Sequence, residues 1–373
     1  MKLHSPLCDL FGIEYPIVLA GMGGASTPEL AAAVSNAGGL GVLGAAACQP
    51  EQLREWIQRT RALTDKPFGV DTLLPASVRR TAQTQGDGRV DPADQLADHL
   101  KFARDFMDQE DLHTPINHDG GQTTNGGNLQ VFSKEFFDAQ MQVIIEERVP
   151  VYAAGLGNPG PWMAELRYNG TRVMAVVGAV RHAIQVAAIG LDAIVAQGHD
   201  AGGHNSPVGA MALIPQVVDA VGNIPVLGAG GIGDGRGVAA AMMLGAAGGW
   251  IGTAFLAAEE SGIAQHQKQA LVDGTEEGTV ISRSVTGKPA RIIRSKWTDA
   301  WEQADIQPLP MPYQGMVSGP VMAAAGAAHR ADINPGFAGQ GMGLIKSIRP
   351  AADILREIVE TAEASLSRAT YFI

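Results

Sequence analysis

Eight short runs of β-prone residues recur along the chain, each interrupted or closed by glycine or proline, and most are followed by a helical pattern. They read IVLA (17–20), GLGVLG (39–44), FGVDTLL (68–74), VPVYAA (149–154), VMAVV (173–177), AIVA (193–196), IPVLGA (224–229) and WIGTAFL (250–256). Most are continuously apolar rather than alternating, as strands buried on both faces of a parallel sheet must be. Amphipathic or Ala-rich windows at 28–36, 50–63, 134–147, 161–168, 181–189, 211–221 and 235–244 lie between them. Alternating strands and helices predict an α/β fold with right-handed crossovers. Eight units fit a (β/α)8 TIM barrel better than an open sheet.

Two segments break the rhythm. An insertion over about 75–131 follows the third strand and ends in HTPINHDGGQTTNGGN (113–128). The C-terminal segment over about 258–373 is irregular and helical, and rich in Pro and Gly up to about 350. Neither is a repeat of fixed period. The expected organisation is a single barrel domain over 1–373. Its insertion leaves from the face that carries barrel active sites, and so is expected to be a lid or a pocket wall.

Composition narrows the classes of function. With 46% apolar and 17% charged residues the chain can bury a core and is not a disordered segment. A net charge of −11 argues against nucleic acid or an anionic membrane as the main partner. No run approaches the roughly 18 apolar residues that would cross a bilayer. Pro6, Asp9 and Glu14 interrupt any signal-peptide core. Cys8 and Cys48 are the two cysteines, with neither a disulfide framework nor metal-type spacing, which fits a cytoplasmic protein. Homo-oligomerisation is left open.

The stretch QGHDAGGHNSPVG (197–209) follows the sixth strand and sets two histidines, an aspartate and four glycines at the barrel mouth. The Gln197 amide can donate to and accept from a heteroaromatic edge. Gly202 and Gly203 let the chain turn sharply, and His204 is the candidate general base. His199 competes for that role, and Asp200 could orient either imidazole. A metal held by His199, Asp200 and His204 is disfavoured, because the i, i+5 spacing sits on a glycine loop and nothing completes the set. His113, His118 and Asp119 form a looser cluster that reads as solvated loop.

The turn LGAGGIGDG (227–235) closes the seventh strand and opens a helix, a natural phosphate site. It matches GxGxxG, but the acid a dinucleotide site needs about twenty residues on is missing. The next strand end, Gly248-Gly249-Trp250-Ile251-Gly252-Thr253, supplies the other half of a barrel phosphate site. Ala20, Gly21 and Met22 end the first strand, as backbone for a planar ring or as an ordinary turn, and Asp71 ends the third, as a ligand contact or a cap for the segment that follows.

Together these motifs resemble the nitronate monooxygenases, formerly 2-nitropropane dioxygenases. The resemblance is carried by AQGHDAGGH (196–204), GAGGI (228–232), IGTAFL (251–256), AAAVSNAGGLG (31–41) and AGQGMGLI (338–345), and it spans nearly the whole chain outside the insertion. It implies FMN at the barrel mouth, with its phosphate on Gly230-Gly231 and Gly252-Thr253, and with Ala20–Met22, Asp71, Gln197 and Gly202-Gly203 near the ring. It implies His204 as the base for a nitroalkane's α-proton, and oxidation by dioxygen to a carbonyl compound and nitrite. Several positions depart from the family pattern: Gly21 where Pro is usual, Asp71 for Asn, Asp200 for Glu, and Ser206 for Gly. The sister group, FMN-dependent enoyl-acyl-carrier-protein reductases using a nicotinamide donor, is the alternative. Arg79, Arg80, Arg291, Arg294 and Lys296 are the residues that could meet its acidic carrier. A non-catalytic flavin-binding protein is the second alternative.

Overall fold

The computed structural model describes residues 2–74, 92–113, 133–369 and 371, with the side chains of 92–94 excepted. Eight of its strands are parallel neighbours in one sheet. These are β1 (Ile17–Leu19), β2 (Gly41–Gly44), β3 (Phe68–Leu73), β4 (Val151–Leu156), β5 (Arg172–Val177) and β6 (Ala193–Gln197). After the two-residue β7 (Gly203–His204) come β8 (Val226–Ala229) and β9 (Gly248–Ile251). Pairing runs β1-β9-β8-β6-β5-β4-β3-β2. The seam between β1 and Leu40, just before β2, is closed by a parallel bridge, with Leu40 N–H donating to Ile17 O and Leu19 N–H to Leu40 O, both at 2.9 Å. The sheet therefore forms the (β/α)8 barrel that the sequence predicts.

Alternation along each strand sorts the side chains. Val18, Val42, Ala153, Met174, Val195 and Leu227 point inward and fill the barrel. Leu43, Val70, Tyr152, Val173 and Ile194 point outward under the helices. By the same parity Asp71 and Gln197 point inward at the strand ends that form the mouth.

The helix windows 28–36 and 50–63 appear as Pro28–Asn36 and Pro50–Leu63. Window 161–168 divides into a 3-10 turn, Gly160–Trp162, and the helix Met163–Tyr168. The run 250–256, expected as one strand, is also divided: β9 stops at Ile251 and Thr253–Leu256 is a helical turn. Ile251 pairs with Leu19, the last residue of β1, so no ladder partner remains beyond that rung.

The two segments without a clear pattern hold regular structure. The insertion contains the helix Pro92–Gln109. The C-terminal segment contains β10 (Thr279–Ser282) and β11 (Ala290–Ile293), which no sequence pattern announced, and the helices Lys296–Gln303, Tyr313–Ala327 and Ala351–Ala369. Phe106 and Met107 of the insertion share a separate core with Trp297, Trp301, Val317 and Val321. Phe102 and Trp301 rings lie 4.6 Å apart, centroid to centroid. No described helix is long and apolar enough to cross a membrane. His118, Asp119, Arg79 and Arg80 lie outside the described residues.

Candidate active site

The positions chosen as flavin contacts sit at, or just beyond, the C-terminal ends of barrel strands, except Gly203, which shares a short strand with the candidate base. That base is His204, and its placement is the main structural finding. Gly203–His204 is a short strand, paired antiparallel with β11 through Ala290↔His204 and Arg291↔Gly203. β11 pairs in turn with β10. The glycine loop after β6 is thus clasped by a hairpin from nearly ninety residues downstream. Gly203 has φ +73°, which the turn into this pairing requires.

Four hydrogen bonds fix the clasp. Gln197 Nε2 donates to the His204 carbonyl at 2.8 Å, so one end of the amide is spent on the backbone and the other remains for a ligand. His204 Nε2 lies 2.9 Å from Thr286 Oγ1. Buried Arg291 donates through Nε and Nη2 to the His199 carbonyl, both at 3.2 Å. His199 and Asp200 are occupied elsewhere. His199 Nδ1 is 2.9 Å from the Ser206 carbonyl. Asp200 Oδ2 accepts from Ala210 N–H at 2.7 Å, at the start of the helix Ala210–Val221. It therefore orients neither imidazole. No group of three metal-ligating side chains exists among the described residues.

Burial, helped by the positive charge of Lys288, pushes the His204 imidazole down to about 4. At neutral pH it is uncharged. Lys288 is itself pushed down by burial, and its ammonium has no ion-pair partner among the described residues. The site thus joins a neutral imidazole to an unpaired cation.

The phosphate half rests on free backbone donors. Gly230 and Gly231 take φ +97° and +71°, a backbone of the kind that gathers N–H groups for an anion. The N–H groups of Gly231, Ile232, Thr253 and Ala254 bond to nothing among the described residues. They belong to turns after neighbouring strands β8 and β9, so the donor set fits a phosphate. Thr253 Oγ1 accepts from Gly339 N–H at 3.0 Å and keeps its own proton to donate. The remaining glycines of the turn serve packing: a Cβ at Gly235 would lie 2.0 Å from the Ile358 carbonyl in the last helix.

Several positions chosen as ligand contacts are partly committed to the protein. Trp250 is buried in the inner core and Ile251 in the outer one, leaving only their backbone for a ligand. A Cβ at Gly202 would lie 2.8 Å from Ala338 C and Gly339 N, so this glycine admits the 338–339 loop. Met22 lies over Gly252, whose added Cβ would be 3.1 Å from its sulfur. Ala20 and Gly21 line the rim beside Asp71.

Thr286, Lys288, Arg291 and Gly339 were not picked out as site residues, since they lie in the irregular C-terminal segment. The run TGKPAR (286–291) was the available signal, a Gly-Pro turn carrying two cations. Three of the five cations proposed to meet an acidic carrier are among the described residues. Arg291 is buried, Arg294 pairs with Asp299 and Glu302, and Lys296 pairs with Glu110 and Asp332.

The family model for nitronate monooxygenase matches residues 4–361. A Mycobacterium tuberculosis protein named as a monooxygenase, Rv1533, is 37% identical over 371 residues, covering 96% of each chain. Nitroalkane oxidase from Streptomyces ansochromogenes superposes with a TM-score of 0.78 at 31% identity, covering 98% of this chain and 99% of that one. FabK from Thermotoga maritima superposes with a TM-score of 0.74 at 31% identity, covering 100% of both. The chain belongs to the nitronate monooxygenase family and is a flavin-dependent oxidoreductase of that family.

Proposed function

We propose that the protein oxidises alkyl nitronates with dioxygen to a carbonyl compound and nitrite, using FMN held non-covalently at the barrel mouth. The observation that carries this reading is the neutral His204 beside the unpaired Lys288. A cation without a counter-ion in a half-buried site favours an anion, and a nitronate is the anionic form of a nitroalkane. The free N–H groups after β8 and β9 would hold the FMN phosphate. Gln197 and the Ala20–Met22 backbone would face its ring. The flavin, when bound, supplies the redox chemistry with dioxygen.

The residues of the chain position and move a proton. At neutral pH His204 is always free to accept one, but an imidazole lowered to about 4 is a weak base. It takes the α-proton of a neutral nitroalkane slowly. An already ionised nitronate needs no such step and meets Lys288 directly. Nitroalkanes are therefore the slower substrates, with His204 as their base. Thr286 at 2.9 Å holds Nε2, which leaves Nδ1 without a partner among the described residues. That nitrogen is the one available to the substrate.

His204→Asn tests the assignment. FMN should stay bound, turnover of a neutral nitroalkane should fall by about 10²–10⁴, and turnover of its nitronate should fall much less. Unchanged turnover of both removes His204 from the mechanism. The resemblance to FabK favours a second reading, an NAD(P)H-using enoyl-thioester reductase. In that case pyridine nucleotide, not nitronate, would be the electron donor.

A further inference from the structure

We propose that Asp71 is a neutral carboxylic acid in the folded protein and that it donates its proton in a hydrogen bond to the bound flavin. This rests on the flavin reading above. By strand parity Asp71 points into the barrel near the mouth end of β3, and it is buried. Its oxygens lie against two bare backbones. A Cβ at Gly21 would be 2.5 Å from Oδ2, and one at Gly155 would be 2.4 Å from Oδ1. Gly21 follows β1, which β2 separates from β3, so this contact crosses the barrel interior.

Among the described residues the surroundings offer the carboxyl almost nothing that favours charge. β2 presents Gly44 beside it, and β4 presents Ala153 and Gly155. The segment 20–22 carries no titratable group. Tyr152 of β4 is the titratable group that feels the charge of Asp71, and it raises no objection to a proton, being neutral and bonded to Thr72 Oγ1 at 2.9 Å. The helices behind β3 carry Glu29, Lys134, Glu135, Asp138 and Glu146, on the outer side of the strand. No cation among the described residues pairs with Asp71.

An isolated carboxylate in such a place neutralises rather than remain charged. Burial pushes the Asp71 carboxyl well above the ordinary carboxylate range, and the single N–H of Gly155 that favours the charged form does not offset it. A protonated carboxyl has an O–H to donate. A flavin ring carries carbonyl oxygens and ring nitrogens that accept, and a neutral acid held by an apolar site is a known way to supply such a donor. An ionised Asp71 would instead repel those acceptors.

Two measurements on the full chain test this. The first needs no flavin: unfolding of wild type and Asp71→Asn is followed from pH 5 to pH 8. Holding a proton that the unfolded chain releases costs wild type about tenfold in its folding constant per pH unit, until the carboxyl ionises. The asparagine variant has no such cost, so its advantage should grow as pH rises. An advantage equal at pH 5 and pH 8 overturns the proposal. The second is FMN titration of the apoprotein. Asp71→Asn, which keeps a donor, should bind FMN within a few-fold of wild type, and Asp71→Ala should bind about tenfold more weakly. Equal affinity of Asp71→Ala and wild type removes the hydrogen bond. If no form takes up FMN the flavin reading fails, while the unfolding series still reports the protonation of Asp71.

Discussion

The barrel and the hairpin that clasps its mouth are built on different rules. Along the eight barrel strands a residue's surroundings follow from its parity: Val42 and Val195 fill the inside, and Leu43 and Ile194 meet the helices. Along β10 and β11 parity says little. There the hairpin's role is set by one pairing, Ala290 with His204, and by Arg291 reaching back to the His199 carbonyl. The barrel provides the mouth and the backbone donors. The hairpin decides where the imidazole sits and how it is charged. Stability and the placement of His204 are thus carried by different stretches of chain, and substitutions should separate them.

The largest effect is expected in the barrel. A Cβ at Gly41 would lie 1.8 Å from the Ala31 carbonyl, a contact with backbone that cannot yield. Gly41→Ala should cost about 3 kcal/mol, seen as a lower denaturant midpoint, with activity per folded molecule unchanged. A loss of activity without a loss of stability there would break the division of labour.

Arg291→Met should act the other way. It removes the donors to the His199 carbonyl and to Thr279 Oγ1 and should cost about 2 kcal/mol. The barrel and its flavin should survive, while turnover falls about tenfold because the His204 strand is no longer tied down. The smallest effect belongs to Thr286→Val, which keeps the shape and deletes the hydroxyl beside His204 Nε2. For a nitroalkane, kcat should drop a few-fold with KM unchanged, and Thr286→Ser should restore it.

The pH dependence carries a sign. His204 is lowered in the fold from its usual value near 6.5 to about 4. The unfolded chain therefore binds the extra proton first, and the contribution of His204 to stability is lost as pH falls from about 6.5 to about 4. The rate on a neutral nitroalkane should likewise hold until pH approaches about 4.

What was legible in the sequence follows the same divide. The strands were readable because parallel strands buried on both faces leave continuous apolar runs, and the helix Pro50–Leu63 because proline opens it and its apolar face repeats. His204 and the Gly230-Gly231 turn were readable because glycines crowd where backbone must bend. The division of 250–256 into β9 and a helical turn was not, since Phe255 and Leu256 suit either state and only the short length of β1 decides. Thr286 and Lys288 were hidden because a two-residue pairing across some ninety residues leaves no periodic trace. Asp71 was readable as the acid near the end of the third strand, but its burial was not, because that depends on Gly21 and Gly155, which are distant in sequence.

On the proposed function, nitronate, not pyridine nucleotide, delivers electrons to a flavin at this mouth. The most direct test of this mixes the FMN-loaded protein, without oxygen, with a short alkyl nitronate in one cuvette and with NADH or NADPH in another, following the flavin absorbance. Rapid bleaching by the nitronate alone is the predicted result. Bleaching by NADH or NADPH with none by the nitronate would contradict the account and place the protein with the reductases.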